Sequence, residues 1–235
     1  MTSIEAIIDR QIRRWELEKK IRTAEILPEK AQKFHQPVIT ISRQRGAGGS
    51  IIARKLAERF NYTLLHRDII ERMCESSGHK RRIIESLDEH GKSQLALWFE
   101  AMVAGEYIDN SDYSKQLLEI IYSISSLGGV VVVGRGANFI VGQDRGFHIR
   151  LVAPREVRIL NIMKFDGRSE KEAAKEVDTT DHERREFIRK SFGKSIDDPL
   201  YYDIVINKLN ISLDAATSLI AVAAMEKFAM MRSQT

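Results

Sequence analysis

The densest chemistry in the chain lies in ISRQRGAGGS, residues 41–50, where Gly46, Gly48 and Gly49 stand among Arg43, Arg45 and Ser50. Glycines at this spacing let successive backbone N–H groups turn inward. A helix opening just beyond them adds its own free amides and the positive end of its dipole. Such a concave set of donors suits an anion, and a polyphosphate above all. Laid on the pattern G-x-x-x-x-G-K-[ST], Gly48 takes the second glycine and Ser50 the hydroxyl position, where it would ligate Mg²⁺. Arg43 then stands where the first glycine belongs, and Gly49 where the lysine belongs. That lysine ordinarily neutralises the β- and γ-phosphates. The charge must come from elsewhere, and either Arg43 or Arg45 could supply it. Taken alone, the segment also reads as a glycine-rich turn that binds nothing.

The loop needs a strand before it and a helix after it. VITIS (38–42) is a short β-rich run and IIARKLAERF (51–60) has Ile52, Leu56 and Phe60 on one helical face. Further strands are expected at 63–66, 130–134, 148–153 and 203–207, with VVVVG (130–134) apolar enough to be covered on both faces. A helix over 68–78 is expected to take Asp68 as its cap and Gly78 as its stop. Another is expected near 155–164. Two capping boxes, at Ser169–Glu172 and Thr180–Glu183, predict two more helix starts, and a last helix covers 212–230. Strands alternating with helices predict an α/β fold with a mainly parallel sheet. Residues 1–27 read as a helix with Ile4, Ile8, Ile12, Trp15 and Ile21 at near-helical spacing, and Pro28 and Pro37 bracket a linker. This arm either packs on its own domain or forms a homodimer through the N-terminal helix.

Composition narrows the class. Of 235 residues, 43% are hydrophobic and 30% charged, which excludes a disordered chain and allows a core without staples. The single cysteine, Cys74, leaves no intrachain disulfide and fits a reducing, cytoplasmic setting. No run of apolar residues is long enough for a membrane span. The net charge of +4 is a mild excess with no Lys/Arg block, so no nucleic-acid partner is expected. The six histidines form no HExxH or other ligand pair.

Taken in order, ITISRQRGAGGS, LLHRDII, VVVVGRGANFI, FHIRLVAPREVRI, DHERREFIRKSFG and DDPLYYDIVIN resemble the cytidylate kinase-like family, within the P-loop nucleoside monophosphate kinases. The resemblance spans about 37–225 and leaves out the N-terminal helix. It implies a three-layer sandwich with a five-stranded parallel sheet, a helical acceptor lobe (about 67–127) and a mobile lid (about 155–194). The kinase domain would be 37–235, preceded by an arm and linker at 1–36. It implies transfer of the ATP γ-phosphoryl group, with Mg²⁺, to a nucleoside monophosphate, CMP or dCMP. A small-molecule kinase with another acceptor and a nucleotide-binding regulatory protein with little turnover are the alternatives.

The resemblance also assigns residues. The loop, Arg43, Arg45, Gly46, Ala47, Gly48, Gly49 and Ser50, would hold ATP. Arg135, directly after a strand and between two glycines, would grip the acceptor phosphate, because ligands of open α/β sheets bind beyond the carboxyl ends of strands. Arg67 would meet phosphate, and Asp68 would hold the acceptor or act only as a cap. From the lid, Arg184 or Arg185 is expected to reach the phosphoryl groups, with Arg158 as a further catalytic cation. Asp181 is expected to be structural.

Overall fold

The computed structural model describes residues 3–23, 36–104 and 111–233. The linker around Pro28 lies outside them. Five strands, β1 (Val38–Arg43), β2 (Thr63–Leu65), β3 (Val130–Val133), β4 (Gly146–Val152) and β5 (Ile204–Asn207), form one sheet in the order β2-β3-β1-β4-β5. Every pairing is parallel. The register sets Ile41 beside Val133 and Arg43 beside Leu151, so β1 and β4 end together and β3 stops two residues short of them.

The apolar strands sort by alternation, as side chains in a strand point to opposite faces. Val130 and Val132 join one core; Val131 and Val133 join the other. The second core is closed by α2 (Gly49–Phe60), through Ile52, Ala53 and Leu56, and by the final helix, through Ala216, Ile220 and Ala224. Each Ile or Leu so buried contributes about 1.5–3 kcal/mol. The first core is built by α1 (Ile4–Thr23), α3 (Arg67–Glu75), α4 (Ser77–Glu85), α5 (Glu89–Ala104), α6 (Asp112–Leu127) and α7 (Ala137–Val141). A hairpin of α8 (Arg155–Asp166) and α9 (Glu170–Phe192) carries a small core of its own, Ile159, Ile162, Ala173 and Val177. The last helix is α10 (Leu213–Ser233). These are the expected sandwich layers, with helices over 67–127 on one side of the sheet and the hairpin over 155–192.

Several local expectations fail for identifiable reasons. The helix over 68–78 is two helices: α3 ends at Glu75, and Ser76 caps α4 by accepting from the His79 amide. Gly78 is therefore inside α4, and Asp68 sits in the first turn of α3 behind its cap, His66. Ser169 does form a full capping box with Glu172, but the second box does not exist, because α9 runs unbroken through Thr180 to Phe192. Leu219, expected on the apolar side of the last helix, faces outward.

The arm packs on its own domain. Ile8, Ile12 and Trp15 are buried in the first core, and Trp15 Nε1 donates to the Gly128 carbonyl at 3.1 Å. Arg82 of α4 pairs with Asp9 and Glu16 (2.8 and 3.1 Å), and Arg72 of α3 with Glu5. Ile8, Ile12 and Trp15 are thus spent within the chain, whereas Ile4 and Ile21 remain exposed on the arm.

Candidate functional site

β1 delivers the chain to the glycine loop. Gly46 (φ 84°) and Gly48 (φ 81°) adopt left-handed backbone, where L side chains are strained. A Cβ at Gly46 would also meet the Arg158 carbonyl oxygen at 2.5 Å. Gly48 caps α2, and the Ile51 and Ile52 amides bond back to its carbonyl. The amides of Gly46, Gly48, Gly49 and Ser50 have no backbone acceptor among the described residues. They line a cavity of about 750 Å³ together with Asn161, Lys164, Phe165 and the 208–213 segment. Ser50 is exposed at its wall.

A second cavity, about 280 Å³, opens at the carboxyl ends of β1 and β3. Its walls include Ser42, Arg67, Gly134, Arg135, Glu183 and Phe187. Arg43, Thr180 and Arg184 line both cavities. They form the shared rim.

Arg135 has φ 55°, between Gly134 and Gly136, which are also left-handed. A non-glycine residue held there stores backbone strain, a feature that clusters at functional sites. Its guanidinium pairs with Glu71 and lies 5.7 Å from the ring centres of Tyr113 and Phe187. Burial, and the nearby Arg67 charge, push it down to about 10. Arg67 bonds the same Glu71 carboxylate at 3.0 Å. Asp68 is exposed and lines neither cavity.

Arg184 points inward from α9. It donates to the Arg43 carbonyl at 2.9 Å, and burial pushes its guanidinium down to about 10. Arg185 is one residue on and faces solvent; it lines neither cavity, so the structure does not bring it to the site. The inward face of α9 is Asp181, Arg184 and Ile188, at the i, i+3, i+7 spacing of one helical side.

Arg158 lines neither cavity. Its Nε donates to the Ala153 carbonyl (2.9 Å), and its Nη1 reaches the Arg45 carbonyl (3.2 Å) and Asp181 Oδ2 (2.5 Å). These contacts brace the loop against α8 and α9, so it is a positioning residue rather than the catalytic cation expected from sequence. Arg45 is similarly committed: its side chain pairs with Asp166 (2.5 Å) and Glu176 (2.7 Å), and its amide donates to Asp181 Oδ1 (2.8 Å). Asp181 is structural, but as a hub joining α8, α9 and the glycine loop rather than a helix start.

Sequence reasoning passed over Arg150 and Asn161. Arg150, on β4, is buried and bonds Ser42 Oγ (2.8 Å) and Asp197 (2.7 Å). A charge inside the apolar run FHIRLVA was the available signal, since a buried charge must be paired. Asn161 donates to the Gly46 carbonyl at 2.9 Å, a contact with no signature in sequence.

A parallel sheet, an amide-lined loop at a helix N-terminus and arginines at the strand ends make an α/β protein whose site suits a phosphate. Residues 38–209 match the model of the cytidylate kinase-like family. The chain belongs to that family, and membership supports phosphoryl transfer as its reaction. It is 27% identical over 187 residues to a cytidylate kinase from Pyrococcus horikoshii, covering 79% of this chain and 87% of that protein. Among solved structures it is similar to that of an uncharacterized protein from Eubacterium ventriosum, with a TM-score of 0.62 and 21% identity over 81% of this chain and 99% of that one. A shikimate kinase from Acinetobacter baumannii gives a TM-score of 0.42 at 18% identity, over 88% and 99% of the two chains. Among the described residues, no helix is long and apolar enough to cross a membrane.

Proposed function

We propose that the protein transfers the γ-phosphoryl group of ATP to a nucleoside monophosphate, CMP or dCMP. The observation that carries this reading is the shared rim: two cavities, one over the glycine loop and one at the strand ends, meet at Arg43, Thr180 and Arg184. In the larger cavity the loop amides would take the β- and γ-phosphates. In the smaller one Arg135 and Arg67 would hold the acceptor phosphate, taking it in exchange for the Glu71 carboxylate that now joins them. An acceptor phosphate oxygen then forms the new bond to the γ-phosphorus. The bond to the β,γ-bridging oxygen breaks, and ADP leaves with its electron pair. A dianionic acceptor phosphate brings no proton to remove. The protein's part is positioning and charge, and Arg184, which lines both cavities, would face the transferring group.

Mg²⁺ suits the donor set. Among the described residues no three His, Cys, Asp or Glu side chains gather around a point, so the chain offers no cage of its own. In P-loop enzymes the loop Ser/Thr hydroxyl holds Mg²⁺ together with substrate phosphates and water, and Ser50 Oγ at the cavity wall would be that oxygen here. The ion would neutralise phosphate charge.

The test is ADP formation from Mg-ATP with CMP, dCMP, UMP, AMP and GMP in parallel. Turnover that depends on CMP or dCMP is expected. Turnover with none of them, alongside thermal stabilisation by ATP, would favour a nucleotide-binding regulator, the reading that the lysine-less loop suggests.

A further inference from the structure

We infer that the loop's two departures from G-x-x-x-x-G-K-[ST] are one coupled exchange, in which Arg43 replaces the lysine in space as well as in charge. This deepens the kinase reading and rests on it.

Gly49 is helical, so its backbone makes no demand for glycine. Space does. A Cβ at position 49 would lie 2.7 Å from Arg43 Cγ and 2.9 Å from Arg43 Cβ. The stem of Arg43 therefore occupies the place through which a side chain at 49 would leave the helix. Its far end is accommodated in the same way: a Cβ at Gly134, at the end of β3, would collide with Arg43 Nη1. Arg43 thus runs between two glycines from the loop to the rim of both cavities.

The electrostatics of the two candidate arginines separate them. Arg45 is held by Asp166 and Glu176. Arg43 has no carboxylate at ion-pair distance among the described residues. Burial, with Arg184, Arg45, Arg135 and Arg150 around it, pushes its guanidinium down to about 9. A half-buried cation crowded by cations is uncompensated until an anion arrives. A phosphate chain lying across the rim supplies that anion. A planar guanidinium also offers paired donors where an ammonium offers a point charge.

The exchange is tested with four proteins: the wild type, Arg43→Gly, Gly49→Lys and the double variant, which carries the complete motif. Arg43→Gly should lower turnover about 10²–10³-fold, the loss typical of one preorganised donor. Gly49→Lys alone should be comparably impaired, because its stem meets that of Arg43. The double variant should recover to within about tenfold of wild type, a non-additivity confined to residues in contact. If Arg43→Gly fails to fold, Arg43→Met keeps the stem and should show the same loss. Retention of turnover within about threefold by Arg43→Gly or Arg43→Met, or a double variant no better than the worse single variant, overturns the exchange. If the wild type turns over none of the acceptors, the kinase reading fails by itself, and the same four proteins are compared by Mg-ATP calorimetry. The wild type and the double variant should then bind and the single variants should not. An undetectable heat with the wild type overturns both.

Discussion

Replacing Arg158 with methionine separates a brace from a catalytic cation. The Arg158 and Asp181 side chains are only 8% and 7% exposed, and their ion pair is 2.5 Å long. Methionine restores most of the aliphatic bulk but none of the donors. It leaves Asp181 buried with the Arg184 guanidinium no closer than 3.8 Å, and strips the Arg45 and Ala153 carbonyls of an Arg158 donor. Breaking one side of a buried pair costs about 3–5 kcal/mol. In a chain of this length each kcal/mol lowers Tm by about 2–4 °C, so Arg158→Met should melt about 6–20 °C below wild type. The further change Asp181→Leu should return part of this, since removing both charges avoids the orphan. Recovery should be incomplete by about 1–3 kcal/mol, because the Arg45 amide loses its acceptor as well. Differential scanning calorimetry of the wild type, the single and the double variants reads all three quantities without reference to activity. An Arg158→Met protein that melts within about 2 °C of wild type yet has lost phosphoryl transfer would refute the brace and restore Arg158 as a catalytic residue.

The opposite signature is expected at Arg184→Met: turnover on Mg-ATP and the best acceptor falls about 10³-fold or more while Tm changes little, and normal turnover would remove Arg184 from the rim chemistry. Arg185→Met should leave both unchanged, because that side chain faces solvent. His148 supplies a pH dependence. The Gly142 carbonyl can only accept, so Nε2 carries the proton and Nδ1 accepts from Thr40 Oγ1 at 2.7 Å. Burial lowers its pKa below 6.5, against the opposing charge of Asp203. The unfolded chain therefore binds the proton more readily, so stability rises with pH in this window and is lost as pH falls below about 6.5. His148→Gln should flatten urea-measured stability between about pH 6.5 and 5, and an unchanged slope would show that another group carries the acid sensitivity.

The sheet and the anion site are legible in the residues alone. VITIS and VVVVG are apolar enough to demand cover on both faces, and a glycine run between a strand and a helix opens amides whatever surrounds it. Arg135 was legible too, because its place after a strand and between glycines is a local fact. Tertiary structure decided which charges are free. Arg43 and Arg45 are two residues apart and equivalent in sequence, yet only Arg45 meets Asp166 and Glu176, more than a hundred positions away. Arg184 and Arg185 are adjacent, and helix rotation alone sends one to the rim and the other to water. Thr180-Asp181-His182-Glu183 has the residue types of a helix start, but it lies inside the unbroken α9, where Thr180 and Glu183 line the smaller cavity and Asp181 bonds the Arg45 amide and the Arg158 guanidinium. Local pattern records what a residue can bond; long-range packing fixes which partner it meets.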